Sequence, residues 1–230
     1  MTPVTGDNPF DGCQTDPFAL IFVGGSIPRS AAAGPGGRMR GFQPSAPSNV
    51  PDEYKNRIGR ITAEKTIPIL RRFAEAGGTI LALDSATALA DHFELPLANA
   101  LIEKAPDGTE TPLRSEKFYV PGSILRVRVD TANPLALGMR EHVDVFFRSS
   151  PVFDLSPEAV LQGVRPVAWF DSATPLRSGW AWGQHYLEDT IAVAEVPMGK
   201  GSLVLFGPEV AFRAQSHGAF KFLFNGIYHR

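Results

Sequence analysis

TILALDSATALADHF, residues 79–93, is the stretch on which the fold turns. TILAL, 79–83, is a short uncharged run of strand length, and an uncharged run without alternation reads as a strand buried on both faces. SATALADHF then reads as a helix, with Asp84 or Ser85 as its N-cap. Just upstream, TIPILRRFAEAGG repeats Ile67, Leu70, Phe73 and Ala74 at helical spacing and stops at Gly77-Gly78. Pro68 fits the first turn of that helix, where its missing N–H costs little. Further back, DEYKNRIG from Asp52 reads as a short helix, and FALIFV at 18–23, closed by Gly24-Gly25, as another buried strand. Strand, helix, strand, helix is the rhythm of a parallel sheet with both faces covered.

Beyond Pro96 the rhythm changes. KFYVPGSILRVRVD sets Ile124, Leu125, Val127 and Val129 against Arg126, Arg128 and Asp130, the period-two pattern of a strand with one wet face. VDVFF, RPVAWF, IAVAEVPMG and GSLVLFG read as further strands, and VPMGKGSLVLF as a hairpin around Gly199-Lys200-Gly201. HGAFKFLFNGIYH places Phe220, Leu223, Phe224 and Ile227 on one face of a closing helix. Between Ser26 and Pro51 the chain is so rich in Gly, Pro, Ala and Ser that it reads as a mobile insertion. Its Arg38, Arg40 and glycines fit a plain flexible loop better than an RNA-binding segment.

The 230 residues suffice for one large domain, and 43% hydrophobic content lets it bury a core without disulfide or metal. The net charge of -2, with both signs interspersed, offers no positive field for a phosphate backbone or an anionic membrane, so nucleic acid is not expected as a partner. Cys13 stands alone, which excludes an internal disulfide and the paired spacing of a zinc or redox site. MTPVTGDNPFDGC lacks the basic and apolar regions of a signal peptide, and no apolar run approaches the ~18 residues of a membrane span. Any export address is therefore expected outside this chain.

Three constellations could carry chemistry. HYLE, from His185 to Glu188, matches H-x-x-E of a zinc site, but a catalytic zinc needs three converging ligands, and His217 and His229 follow too closely. Coincidence is the better reading. The LALDSATALA junction puts Ser85 at a strand-to-helix turn, yet it lacks the G-x-S-x-G frame, and a capping serine explains Ser85 as well. Trp169, Trp180 and Trp182 lie near Gln184 and His185 on a Gly-bounded loop, either as core or as a surface for a neighbouring domain.

Taken in order, DPFALIFVGGSIPR, NVPDEYKNRIGRIT, RRFAEAGGTILAL, EKFYVPGSILRVRVDTANPLALGM, SSPVFDL, LRSGWAWGQHYLE and GKGSLVLFGPEVAFRAQSHGAFKFLFNGIY resemble the C-terminal region of certain large bacterial zinc carboxypeptidases. That region is similar to class I glutamine amidotransferases. The resemblance implies a three-layer α/β/α, flavodoxin-like fold with a mainly parallel sheet and additional antiparallel strands. It covers the domain expected at 16–230, after a disordered segment at 1–15 and with the insertion at 26–51. No counterpart of the peptidase domain is seen here, nor of the first strands of the fold, so Met1 is expected to begin a fragment or a late-starting reading frame. Zinc is expected only in that peptidase domain, with no cofactor in this chain. The peptidase domain is the expected partner, in cis or in trans, and a homo-oligomer is left open. The compartment is not specified, although the family's members are often exported.

In class I amidotransferases a cysteine sits at the turn after the strand that here is TILAL, and a His-Pro-Glu near the end completes the triad. This chain has Asp84-Ser85-Ala86 at the first place and Gly207-Pro208-Glu209 at the second. The acid is kept as Glu209, and a glycine stands where the base would be. Loss of triad members costs roughly 10⁴–10⁶-fold in turnover. The leading expectation is thus a non-catalytic domain with a degenerate triad at Ser85, Gly207 and Glu209, and with Trp180, Trp182, Gln184, His185, Arg213 and Gln215 as interface or ligand candidates. One rival is a hydrolase using Ser85 with His217 or His185 as base. Another is a small-molecule sensor lined by Arg213, Gln215 and Trp182 at the strand ends.

Overall fold

A computed structural model describes residues 19–23, 27, 51, 61–104 and 110–228. The first half contributes strand β1 (Ala19–Phe22), helix α1 (Thr66–Glu75), β2 (Thr79–Leu83), α2 (Leu89–His92) and the short strands β3 (Leu97–Asn99), β4 (Ile102–Lys104) and β5 (Glu110–Pro112). The second half adds β6 (Ser123–Val129), β7 (His142–Phe147), β8 (Phe153–Leu155), α3 (Pro157–Leu161), β9 (Arg165–Trp169), β10 (Leu176–Ser178), β11 (Ile191–Met198), β12 (Gly201–Phe206) and α4 (Phe220–Tyr228).

The main sheet runs β1-β2-β12-β11-β9-β6-β10, with β7 on β6 and with β8 joined to β11 and β3. All five residues of TILAL are buried, as a central strand demands. Its alternate residues feed two cores. Ile80 and Ala82, with Leu203 and Leu205 of β12, pack against Ile67, Leu70 and Ala74 of α1. Leu81 and Leu83, with Val204 and Phe206, face the opposite way and meet Phe222 of α4. A helix therefore covers each face of the central strands. Full burial of one such aliphatic side chain is worth about 1.5–3 kcal/mol.

The sheet departs from the mainly parallel arrangement that the resemblance implies. Among the described residues only β1 on β2 and β2 on β12 pair in parallel. The ladders β12–β11, β11–β9, β9–β6, β6–β7 and β6–β10 are antiparallel. Parallel neighbours need long crossovers, usually helical, and beyond Pro96 the chain offers mainly turns and short loops. The hairpin at Gly199-Lys200 is one such turn: Gly199 takes φ 60, and the Lys200 N–H donates to the Glu75 carbonyl at 3.0 Å.

Three local readings are also corrected. SATALADHF is not one helix but a 3-10 turn, Asp84–Ala88, followed by a single turn of α2 that ends before left-handed Glu94. In β6, Ile124 shares the wetter side with Arg126 and Arg128, because Ser123, Leu125, Val127 and Val129 take the inward positions. In α4 the buried residues are Phe222 and Gly226, and Phe224 is exposed. Gly226 sets that rotation, since a Cβ there would lie 2.8 Å from Leu81 Cδ2. The segment 1–15 and DEYKNRIG lie outside the described residues. Of 26–51 only Ile27 and Pro51 are described, and Ile27 is buried in the α1 core.

Candidate functional site

β2 and β12 run side by side and in the same direction, so their C-terminal ends bring the 84–88 turn and the 207–209 corner to one edge of the sheet. This is the edge where open α/β sheets bind ligands. β7 reaches the same place, because the Glu209 N–H donates to the Phe146 carbonyl at 3.1 Å. Among the described residues six non-glycine residues have left-handed backbone, and four of them lie in the segments that follow β2, β7 and β12: Asp84 at φ 53, Ser149 at φ 47, Arg213 at φ 44 and Ala214 at φ 55. Such conformations are strained for L residues and concentrate at functional sites.

Gly207 is buried against main chain. Its N–H donates to the Ala192 carbonyl at 2.9 Å. A Cβ built on it would fall far inside contact distance of the Pro151 carbonyl oxygen, and 3.2 Å from that of Ala192. No side chain of any kind fits there without moving the backbone before β8. The backbone thus excludes an imidazole at this position, because the space beside the corner is occupied by a peptide group.

Glu209 follows, with its side chain 18% exposed, and Arg148 Nη2 donates to its Oε1 at 2.8 Å. Burial raises the Glu209 carboxyl above its ordinary pKa and nearby Asp84 adds to this, while the Arg148 charge pulls the other way. Asp84 is likewise raised, by burial first, against a hydrogen bond from the Ser85 backbone and the charge of Arg148. The acid is therefore held by a guanidinium, and a second carboxyl stands close by. The left-handed residue of the turn is Asp84, one place before the expected Ser85. Sequence reasoning singles out neither Asp84 in this role nor Arg148; a carboxylate after an apolar strand reads as a helix cap, and Arg148 lies 61 residues from its partner.

The remaining candidates divide into two groups. Arg213 lies over the Phe212 ring at 5.1 Å, and Gln215, exposed, donates its backbone N–H to the Phe212 carbonyl. His217 packs its ring against Phe220 at 5.5 Å. Trp180 and Trp182 make their contacts around Tyr119 and Ser123. Trp182 exchanges two backbone hydrogen bonds with Tyr119, each 3.0 Å, and its indole N–H donates to the Glu116 carbonyl at 2.7 Å. Ser123 Oγ accepts from the Trp180 N–H at 2.9 Å and donates to the Trp180 carbonyl at 2.6 Å. Trp180 and Tyr119 meet edge to face at 5.9 Å, and both indoles are more than half exposed. Gln184 Oε1 accepts from the Leu176 N–H, and His185 packs on Tyr186. Trp182 is thus tied to Tyr119 and Glu116, and Gln184 is engaged in holding β10. Among the described residues no cluster of three or more His, Cys, Asp or Glu could hold a metal ion.

No protein-family model and no curated protein matches the chain. Among solved structures, similarity is found to a protein described as a GMP synthase subunit from Thermoplasma acidophilum, with 12% identity and a TM-score of 0.42, covering 72% of this chain and 65% of that one. A ThuA-like protein from Bacteroides uniformis is similar with 10% identity and a TM-score of 0.39, with 71% and 62% covered. A β-galactosidase from Bacillus circulans sp. alkalophilus is similar with 11% identity and a TM-score of 0.40, over 72% of this chain and 20% of the enzyme. The chain spans just under two thirds of the first two proteins and a fifth of the third. The described residues form an α/β fold with a mixed sheet. None of the three is described as a carboxypeptidase, and the resemblance to the zinc carboxypeptidase region and to class I amidotransferases rests on the sequence blocks.

Proposed function

We propose that this chain is a non-catalytic amidotransferase-like accessory domain, which docks on or stabilises the peptidase domain of a zinc carboxypeptidase. The observation that carries the first half is Gly207: the place of a general base is filled by the Pro151 peptide. A triad without its base has no group to take the nucleophile's proton. Glu209 is engaged by Arg148, and the strained position of the turn carries a carboxylate, which is a weak nucleophile beside a second acid. On this reading zinc belongs to the peptidase domain.

Docking is supported by the aromatic surface of Tyr119, Trp180, Trp182 and Tyr186, all exposed. Exposed Trp and Tyr that are already immobilised lose little entropy on binding, and they dominate the energetics of protein interfaces. Two measurements test the reading. Glutaminase and esterase assays should show background rates, unchanged by Ser85→Ala; activity that disappears with Ser85→Ala would overturn the non-catalytic half. Calorimetric titration with a zinc carboxypeptidase domain of the resembled family should show binding, weakened about tenfold or more by a Trp180→Ala, Trp182→Ala double variant. Absence of binding by the unsubstituted chain defeats the docking half.

A further inference from the structure

Two guanidinium groups meet on one ring at the strand ends. Phe212 is fixed by stacking on Phe146, with centroids 4.2 Å apart and planes 9° from parallel. The Arg148 guanidinium lies 5.6 Å from the Phe212 centroid and that of Arg213 lies 5.1 Å from it. Arg148 is matched by Glu209, whereas Arg213, exposed, has no carboxylate partner among the described residues. A second guanidinium on the same ring adds positive charge at a place where only Arg148 has a carboxylate. The loop that carries it is also strained, since Arg213 and Ala214 are consecutive left-handed residues. It ends at Ser216, whose Oγ is the one buried side-chain polar atom without a hydrogen-bond partner among the described residues.

We propose that Arg148 and Arg213 form a binding site for a small dianionic oxyanion, a sulfate or phosphate group, seated between the two guanidiniums. The planar fork of arginine matches the oxygens of such a group and holds them with charge-assisted hydrogen bonds. The anion competes with Glu209 for Arg148. The charged groups that act on Glu209 are Arg148, from the end of β7, and Asp84, from the end of β2. Once Arg148 turns to the anion, Glu209 is left beside Asp84 without its cation, and it takes up a proton. Burial already favours that step for both acids. Oxyanion binding is therefore coupled to proton uptake and tightens as pH falls. The site goes beyond the accessory role and is independent of which partner is docked.

The test is calorimetric titration with sodium sulfate, which stays dianionic, at mildly acidic and mildly alkaline pH, with chloride at matched ionic strength as control. Inorganic phosphate forms a second arm. Saturable sulfate binding that tightens at acidic pH is expected, with chloride silent. Arg213→Gln should weaken it about tenfold or more, the loss expected for a charge-assisted contact. Glu209→Gln should bind more tightly at alkaline pH and lose the pH dependence. Arg213 is exposed, so its replacement leaves the core intact and circular dichroism verifies the fold. No saturable sulfate binding at either pH overturns the proposal, as does equal binding by Arg213→Gln. Glutaminase activity or failure to dock a peptidase domain leaves these outcomes unmoved, so the two readings fail separately.

Discussion

Asp84 combines a left-handed backbone with a half-buried carboxyl whose pKa is raised. A raised folded-state pKa means that the native chain binds more protons than the unfolded one between the two pKa values, so stability falls as pH rises through that window. Asp84→Asn removes the charge and keeps a residue that tolerates left-handed φ. At neutral pH this variant should melt above the unsubstituted chain, and the gap should close as pH falls below the ordinary carboxylate range; a pH series of Tm measurements checks it. The sequence made Glu209 and Gly207 legible, because both fall in one short motif. It did not reveal Asp84 as the strained residue, since positive φ is signalled by glycine and this turn has none. Nor could it pair Arg148 with Glu209, a contact made by folding alone.

At the scale of elements, the loop 179–183 owes its rigidity to two glycines. Gly179 and Gly183 take φ 98 and φ 70, and a Cβ at Gly183 would collide with the Lys117 carbonyl oxygen. Gly183→Ala should therefore break the Tyr119–Trp182 pairing and cost about 1–3 kcal/mol, the usual range for overpacking. Near-UV circular dichroism of the tryptophans, together with urea denaturation, measures both effects. Most strands were legible: TILAL and GSLVLF coincide with β2 and β12, and FALIFV contains β1. Their directions were harder to read. Period-two alternation fixes which side of a strand is wet, whereas parallel or antiparallel pairing depends on the connection; the hairpin at Gly199-Lys200 signalled the antiparallel β11–β12 pair, but most other loops after Pro96 carry no strong signal of either. α4 shows the same limit, because spacing alone could not say that Gly226 would draw the helix onto Leu81.

For the whole molecule, alternate residues of β2 and β12 belong to opposite cores, so neither face can melt while the other keeps its central strands. Leu205→Ala, in the α1 core, and Phe222→Ala, in the α4 core, should each lower stability by about 2–5 kcal/mol. Both should give one cooperative transition, with coincident midpoints by far-UV circular dichroism and tryptophan fluorescence. Separate midpoints would mean that the faces unfold independently. The two-sided covering was legible from the uncharged TILAL run, which has no charged position to offer solvent.

The Pro151 carbonyl beside Gly207 also constrains descent. No single substitution could place an imidazole at that corner, because any larger residue meets a main-chain oxygen before it meets solvent. The strand-to-strand link carrying Pro151 would have to withdraw first, a change with no benefit until the second had occurred. Sequences that share this geometry are therefore held to glycine here, while the surroundings of the corner are free to vary.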